Sequence, residues 1–143
     1  MSEQLTDISG VKTPTRKLVL AENLHAGFPS PAADYTDHID ITEEIIRHPD
    51  TTFYARIAGD SMCDAGIHSG DIVVIDRSLK ARDGNYVAAY IDGEFTVKEY
   101  RYDPRERCAW LIPHNPQFSP IRVTEENAFQ IWGVITCIIH KFV

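Results

Sequence analysis

From residue 51 onward, apolar and polar positions alternate in short runs broken by turn residues. "TTFYARIA" (51–58) puts Phe53, Ala55 and Ile57 on one face and Tyr54 and Arg56 on the other, the period of two expected of a half-buried strand. "DIVVID" (71–76) is a short strand with a fully apolar core. "NYVAAYI" (85–91) and "EFTVKEYRY" (94–102) flank Asp92-Gly93, the two-residue sequence that best closes a hairpin. "CAWLIP" (108–113) and the long run "FQIWGVITCIIHKF" (129–142) complete the set. One helix is predicted, in "DITEEIIRHP" (40–49): Asp40 and Glu43 have capping-box spacing, and Pro49 ends the element. Before it, residues 1–38 hold few periodic apolar positions. Pro29 and Pro31 set Phe28 and Ser30 in extended conformation. The pattern predicts an extended N-terminal arm over 1–38 and a small, curved, mostly β domain over 39–143 with one short helix.

Composition narrows the class. The chain has 143 residues, 43% hydrophobic and 24% charged, ordinary for a soluble globular domain. Its net charge of −7 argues against direct, specific DNA binding, which needs clustered Lys and Arg. The longest apolar run in the N-terminal region is Leu18-Val19-Leu20-Ala21, far short of a signal sequence, and no stretch is long enough for a membrane span. A cytoplasmic protein is expected. The three cysteines, Cys63, Cys108 and Cys137, are odd in number and widely spaced, so no disulfide framework is expected. The six histidines lack ligand spacing, and neither a metal nor a cofactor is expected.

The candidate chemistry lies in "ARIAGDSMCDAGIHSGD" (55–71). Ser61 follows a strand and a glycine, where a serine is ordinarily a turn or cap residue. Lys98 lies mid-strand in "EFTVKEY", where Thr96, Lys98 and Tyr100 share a face opposite Phe95, Val97 and Glu99. Taken alone it is a solvent-facing lysine. Taken together, the two suggest a nucleophile and a base: a neutral amine can accept the proton of a serine hydroxyl, and burial lowers a lysine pKa from its ordinary value of about 10.4. Cys63 has no patterned His partner and reads as a packing residue. His68 lies in a turn-like run and reads as a surface residue.

"GDSM" followed by "DAGIHSGDIVVID", with "GEFTVK" ending 37 residues after the serine, resembles the LexA-type self-cleaving proteins. "AGFPSPAADY", "HPDTTFYARIAGDSM", "LIPHNPQFSPI" and "IWGVI" resemble the UmuD branch, which includes MucA. The likeness spans roughly residues 24–140, and residues 1–20 carry none of these motifs. It implies a small β-rich peptidase domain of the LexA and signal-peptidase kind that forms a homodimer. It also implies Ser61 as nucleophile, Lys98 as general base, backbone N–H groups of Asp60 and Ser61 as oxyanion hole, and Ala26-Gly27 as the bond cut. Alanine before the glycine is the LexA pattern; the chromosomal UmuD proteins often have cysteine there. Gly27, lacking Cβ, would let the backbone come close to the attacking oxygen.

The resemblance further implies a DNA-damage (SOS) response protein whose cut is stimulated by the RecA–single-stranded-DNA filament. The product, Gly27 to Val143, would be an accessory subunit of a UmuC-like Y-family translesion polymerase. Alternatives are a self-cleaving transcriptional repressor, a processing peptidase acting on other proteins, and an inactive protein-binding module. The 26 residues before Gly27 are few for a helix-turn-helix domain. No membrane anchor favours a processing peptidase, and the presence of both Ser61 and Lys98 gives no support to an inactive module.

Overall fold

The computed structural model describes residues 4–10, 18–19, 38–124 and 126–143. The elements run β1 (Gln4–Gly10), β2 (Leu18–Val19), β3 (His38–Ile39), α1 (Ile41–Ile45), β4 (Thr52–Ala58), β5 (Ile72–Asp76), β6 (Tyr86–Ile91), β7 (Glu94–Asp103), β8 (Cys108–Ile112), β9 (Ile121–Val123) and β10 (Phe129–Ile139). Eight strands form one open antiparallel sheet in the order β1-β4-β5-β10-β6-β7-β8-β9, while β2 and β3 pair with each other. β1 also approaches β7, from which four strands separate it in the sheet order, so the sheet curls strongly upon itself. The mostly β, curved domain expected from the alternation is what the structure contains.

The end of the helix and four strands, β1, β2, β3 and β9, differ from the sequence reading. The helix starts as predicted, with the Asp40 carboxylate accepting from the N–H groups of Thr42 and Glu43. It ends at Ile45 rather than at Pro49. Ile46 is already extended, and Pro49 opens a separate 3-10 turn over Pro49–Thr51. Proline is well placed at the start of such a turn, where its missing N–H would have no partner. Of the strands, β1 pairs with the edge of β4 over Gln4↔Ala58 to Gly10↔Phe53 in a region where the alternation predicts no strand.

The hairpin turn behaves as expected. Asp92 and Gly93 both have positive φ (49° and 87°), which matches the right-handed twist of the strands and fixes Ile91 opposite Glu94. That register carries through to Val87↔Lys98. β6 is buried on both faces, with Ala88 in one apolar cluster and Val87, Ala89 and Ile91 in a second. The first cluster joins Ala55 and Ile57 of β4 to Val73 and Ile75 of β5, Met62, Ile67 and Val97.

β10 binds the sheet together by pairing with β6 through its first half and with β5 through its second. Its register shifts between Ile131 and Gly133 and again between Ile135 and Cys137, which lets an eleven-residue strand bend. Gly133 is required at this bend: a Cβ there would lie 2.5 Å from Ile75 Cγ2.

At the end of β5 the carboxylate of Asp76, 3% exposed, gathers the chain around it. It accepts from the hydroxyl and N–H of Ser78 (2.7 and 2.8 Å), from Thr51 Oγ1 (3.1 Å), and pairs with His48 Nδ1 (2.6 Å). Burial pushes its pKa up, but the hydrogen bonds from Ser78, His48 and Thr51 together win and hold it at about 2. The folded pKa lies below the ordinary value, so the stabilisation is present above about pH 4 and is lost as pH falls towards 2. This group should account for roughly 2 kcal/mol of acid destabilisation. Chemical denaturation at pH 5 and pH 2.5 should show Asp76→Asn less stable than wild type at pH 5 and markedly less sensitive to acid. An unchanged acid slope in the variant would assign the effect elsewhere.

Candidate active site

Ser61 is set by the way β4 ends. Gly59, with φ of 108°, turns the chain out of the strand. Met62, fully buried in the first apolar cluster, then anchors the segment immediately after the serine. A 3-10 turn over Cys63–Ala65 follows and closes on Gly66 in left-handed conformation. The serine is thus held between a glycine turn and a buried side chain.

Lys98 comes from the middle of β7, and the serine hydroxyl and lysine amine meet: Nζ donates to Ser61 Oγ at 2.9 Å. Nζ also donates to Thr96 Oγ1 at 2.6 Å and to the carbonyl of Val97 at 3.1 Å. Ser61 is 0% exposed and Lys98 1% exposed. The solvent-facing lysine that its position alone suggested is excluded, because the curled sheet covers both faces of β7 at this point. Burial of an amine favours its neutral form. Once deprotonated, the amine keeps two N–H donors for Thr96 Oγ1 and the Val97 carbonyl and can turn its lone pair to the serine hydroxyl, the requirement for general-base activation of that oxygen.

Asp60 and Ser61 are further held by the loop after β8. The N–H of His114 donates to the Ser61 carbonyl (2.8 Å), the N–H of Asp64 donates to the His114 carbonyl (2.8 Å), and Asn115 Nδ2 donates to the Asp60 carbonyl (2.9 Å). The sequence reading used this loop, "LIPHNPQFSPI", only as a family motif. It likewise assigned no role to Thr96, although the period-two pattern that put Thr96 and Lys98 on one face was the signal for it.

The Cys63 thiol is pushed up by burial and by the carboxylates of Asp64 and Asp60, the wrong direction for a nucleophile. His68 is exposed, and its N–H caps the Asp71 carboxylate. Ala26 and Gly27 lie outside the described residues. The chain on either side of them is brought together by the pairing of Leu18 with Ile39 and Val19 with His38.

The contact between Thr96 and Lys98 is testable by stability alone. Thr96→Val keeps the branched shape but removes an acceptor from a buried amine, which should cost about 1–3 kcal/mol in urea denaturation. In a Lys98→Met background, which has no amine to satisfy, the same substitution should cost close to nothing. Equal costs in the two backgrounds would show that the hydroxyl does not serve the amine.

A family model described as Peptidase S24-like matches residues 18–136. Protein SamA of Salmonella typhimurium is 47% identical over 124 residues, covering 86% of this chain and 84% of that protein. Protein MucA of Escherichia coli is 43% identical over 117 residues, covering 80% and 78%. The LexA repressor of Bifidobacterium adolescentis is 35% identical over 135 residues, covering 94% of this chain but 51% of the repressor. The family match takes in both Ser61 and Lys98, and by it this chain belongs to the S24-like peptidase family.

Proposed function

We propose that the protein is a DNA-damage (SOS) response protein that cleaves itself once, between Ala26 and Gly27, using Ser61 and Lys98. The observation that carries the reading is the 2.9 Å contact between Lys98 Nζ and Ser61 Oγ, with both side chains removed from water. In this mechanism neutral Lys98 takes the hydroxyl proton as Ser61 Oγ attacks the Ala26 carbonyl carbon. Backbone N–H groups of Asp60 and Ser61 stabilise the oxyanion. The Lys98 ammonium returns the proton to the departing Gly27 nitrogen, leaving residues 1–26 as an ester on Ser61. Water, deprotonated by Lys98, then hydrolyses the ester to a carboxylate and restores the serine.

In the same reading, residues 1–38 act as the arm that delivers the bond and residues 39–143 as the peptidase domain. The protein is a cytoplasmic homodimer. The RecA–single-stranded-DNA filament favours the state in which the arm occupies the cleft, a population shift rather than a donation of catalytic groups. The product, Gly27 to Val143, serves a UmuC-like Y-family polymerase in error-prone translesion synthesis. The identities support this over a repressor: 47% to SamA and 43% to MucA against 35% to the LexA repressor. No helix among the described residues is long and apolar enough to cross a membrane.

Incubation of the purified protein at raised pH should yield a fragment that begins at Gly27 by mass spectrometry. Ser61→Ala should yield none and keep the wild-type circular dichroism spectrum. A stable wild-type fragment beginning elsewhere would refute the assigned bond.

The pH dependence tests the base. Only the deprotonated amine accepts the serine proton, so the first-order rate should rise with pH and then level off. Lys98→Ala should lose at least about 100-fold in rate across the range, the low end of what a general base supplies. A flat wild-type profile, or an active Lys98→Ala protein, would remove Lys98 from the mechanism.

A further inference from the structure

The two peptide groups that flank the Cα of Ser61 are held by two consecutive residues of one distant loop. The Ser61 carbonyl accepts from the N–H of His114 at 2.8 Å, and the Asp60 carbonyl accepts from Asn115 Nδ2 at 2.9 Å. The Asp60 carbonyl also accepts from the N–H of Cys63 at 3.2 Å, so both of its lone pairs are engaged. The amide of Asn115 has a fixed orientation. Its Oδ1 accepts from the N–H of Gln117 at 3.0 Å, which makes Nδ2 the atom that faces Asp60. The loop is closed a second time by the N–H of Phe118, which donates to the Asn115 carbonyl at 3.0 Å.

The peptide that Asn115 holds is the one whose N–H belongs to Ser61. A peptide unit is planar, and in the trans form its C=O and N–H point in opposite directions. Anchoring the Asp60 carbonyl to the 115 loop therefore sets the direction of the Ser61 N–H. We infer that Asn115 is a positioning residue for self-cleavage, presetting the Ser61 N–H towards the oxyanion through the Asp60–Ser61 peptide. This rests on the proposed function. Donation to the carbonyl also polarises the peptide and makes its N–H a better donor. A donor fixed before the reaction needs no reorganisation as negative charge develops, which is where such groups gain their effect. Asparagine suits the task because one side chain supplies an acceptor to order its own loop and a donor to reach across to Asp60.

Two variants separate the positioning role from loop ordering. Asn115→Asp retains Oδ1 for the Gln117 N–H but loses the donor to Asp60; Asn115→Ala loses both. Self-cleavage rates should be measured between about pH 6 and pH 10, alongside thermal melting of each protein. Both variants should lower the plateau rate by roughly 10- to 100-fold, less than the roughly 100- to 1,000-fold cost of deleting an oxyanion donor itself. The midpoint of the pH profile should stay at the wild-type value in Asn115→Ala, which adds no charge near Lys98; in Asn115→Asp the new carboxylate favours the ammonium and moves the midpoint up, so the plateau rate carries the comparison. Asn115→Asp should melt close to wild type, and it carries the test if Asn115→Ala is poorly folded. An Asn115→Asp protein that cleaves at the wild-type plateau rate would overturn the inference and leave the proposed function standing. In Asn115→Ala, a shifted midpoint with an unchanged plateau would also overturn it, by assigning the effect to the lysine. Wild-type protein that does not cleave at all would refute the proposed function, and the inference with it.

Discussion

An amine that is 1% exposed has given up its water, and the groups around it must replace what was lost. Lys98 finds Ser61 Oγ, Thr96 Oγ1 and the Val97 carbonyl. These acceptors come from the end of β4 and from β7 itself, so the contact exists only if the sheet curls far enough to bring the two together. A buried lysine is a poor way to stabilise a fold, since apolar residues of similar volume would fill the space without desolvating a polar group. Its position suits the general-base role proposed for it.

The curl comes from identifiable features. β10 joins β6 to β5 with two register shifts, and Gly133 leaves room for the Ile75 side chain at the first of them. The Asp92-Gly93 turn fixes the register that sets Lys98 opposite Val87. With β6 buried on both faces, a slip of one residue would exchange its two apolar clusters and turn Lys98 away from Ser61. Packing in the interior and geometry at the site are therefore specified by the same strand pairing.

The peptide groups at the serine are under similar control from a different direction. β4 delivers Ser61, Met62 pins it from below, and the loop after β8 holds its carbonyl and that of Asp60. Meanwhile β1 covers the outer edge of β4, the strand that leads into the serine. In a self-cleaving protein cut at Ala26-Gly27, β1 would lie upstream of the cut. It would then be held to the domain by strand pairing rather than by the chain.

Much of the fold is legible in the sequence, because strands with one dominant face and a strong turn leave local signatures. The faces of β4, the apolar core of β5, the Asp92-Gly93 hairpin and the Asp40 cap are all fixed by residues close in the chain. So are the identities of Ser61 and Lys98 as candidates, through motifs resembling a known family. The limits are equally physical. Pro49 marked a boundary, but α1 stopped earlier, at Ile45, a choice made by the extended backbone of Ile46 rather than by the proline. β1 has no signature because pairing with an existing edge demands backbone groups more than a particular pattern. The burial of Lys98, the role of Thr96 as its acceptor, and the reach of Asn115 to a carbonyl 55 residues away were decided by tertiary structure alone. Local patterning says which way a side chain points from its own strand; what waits there is set by strands distant in sequence, and only the closed, curled sheet brings them within hydrogen-bonding range.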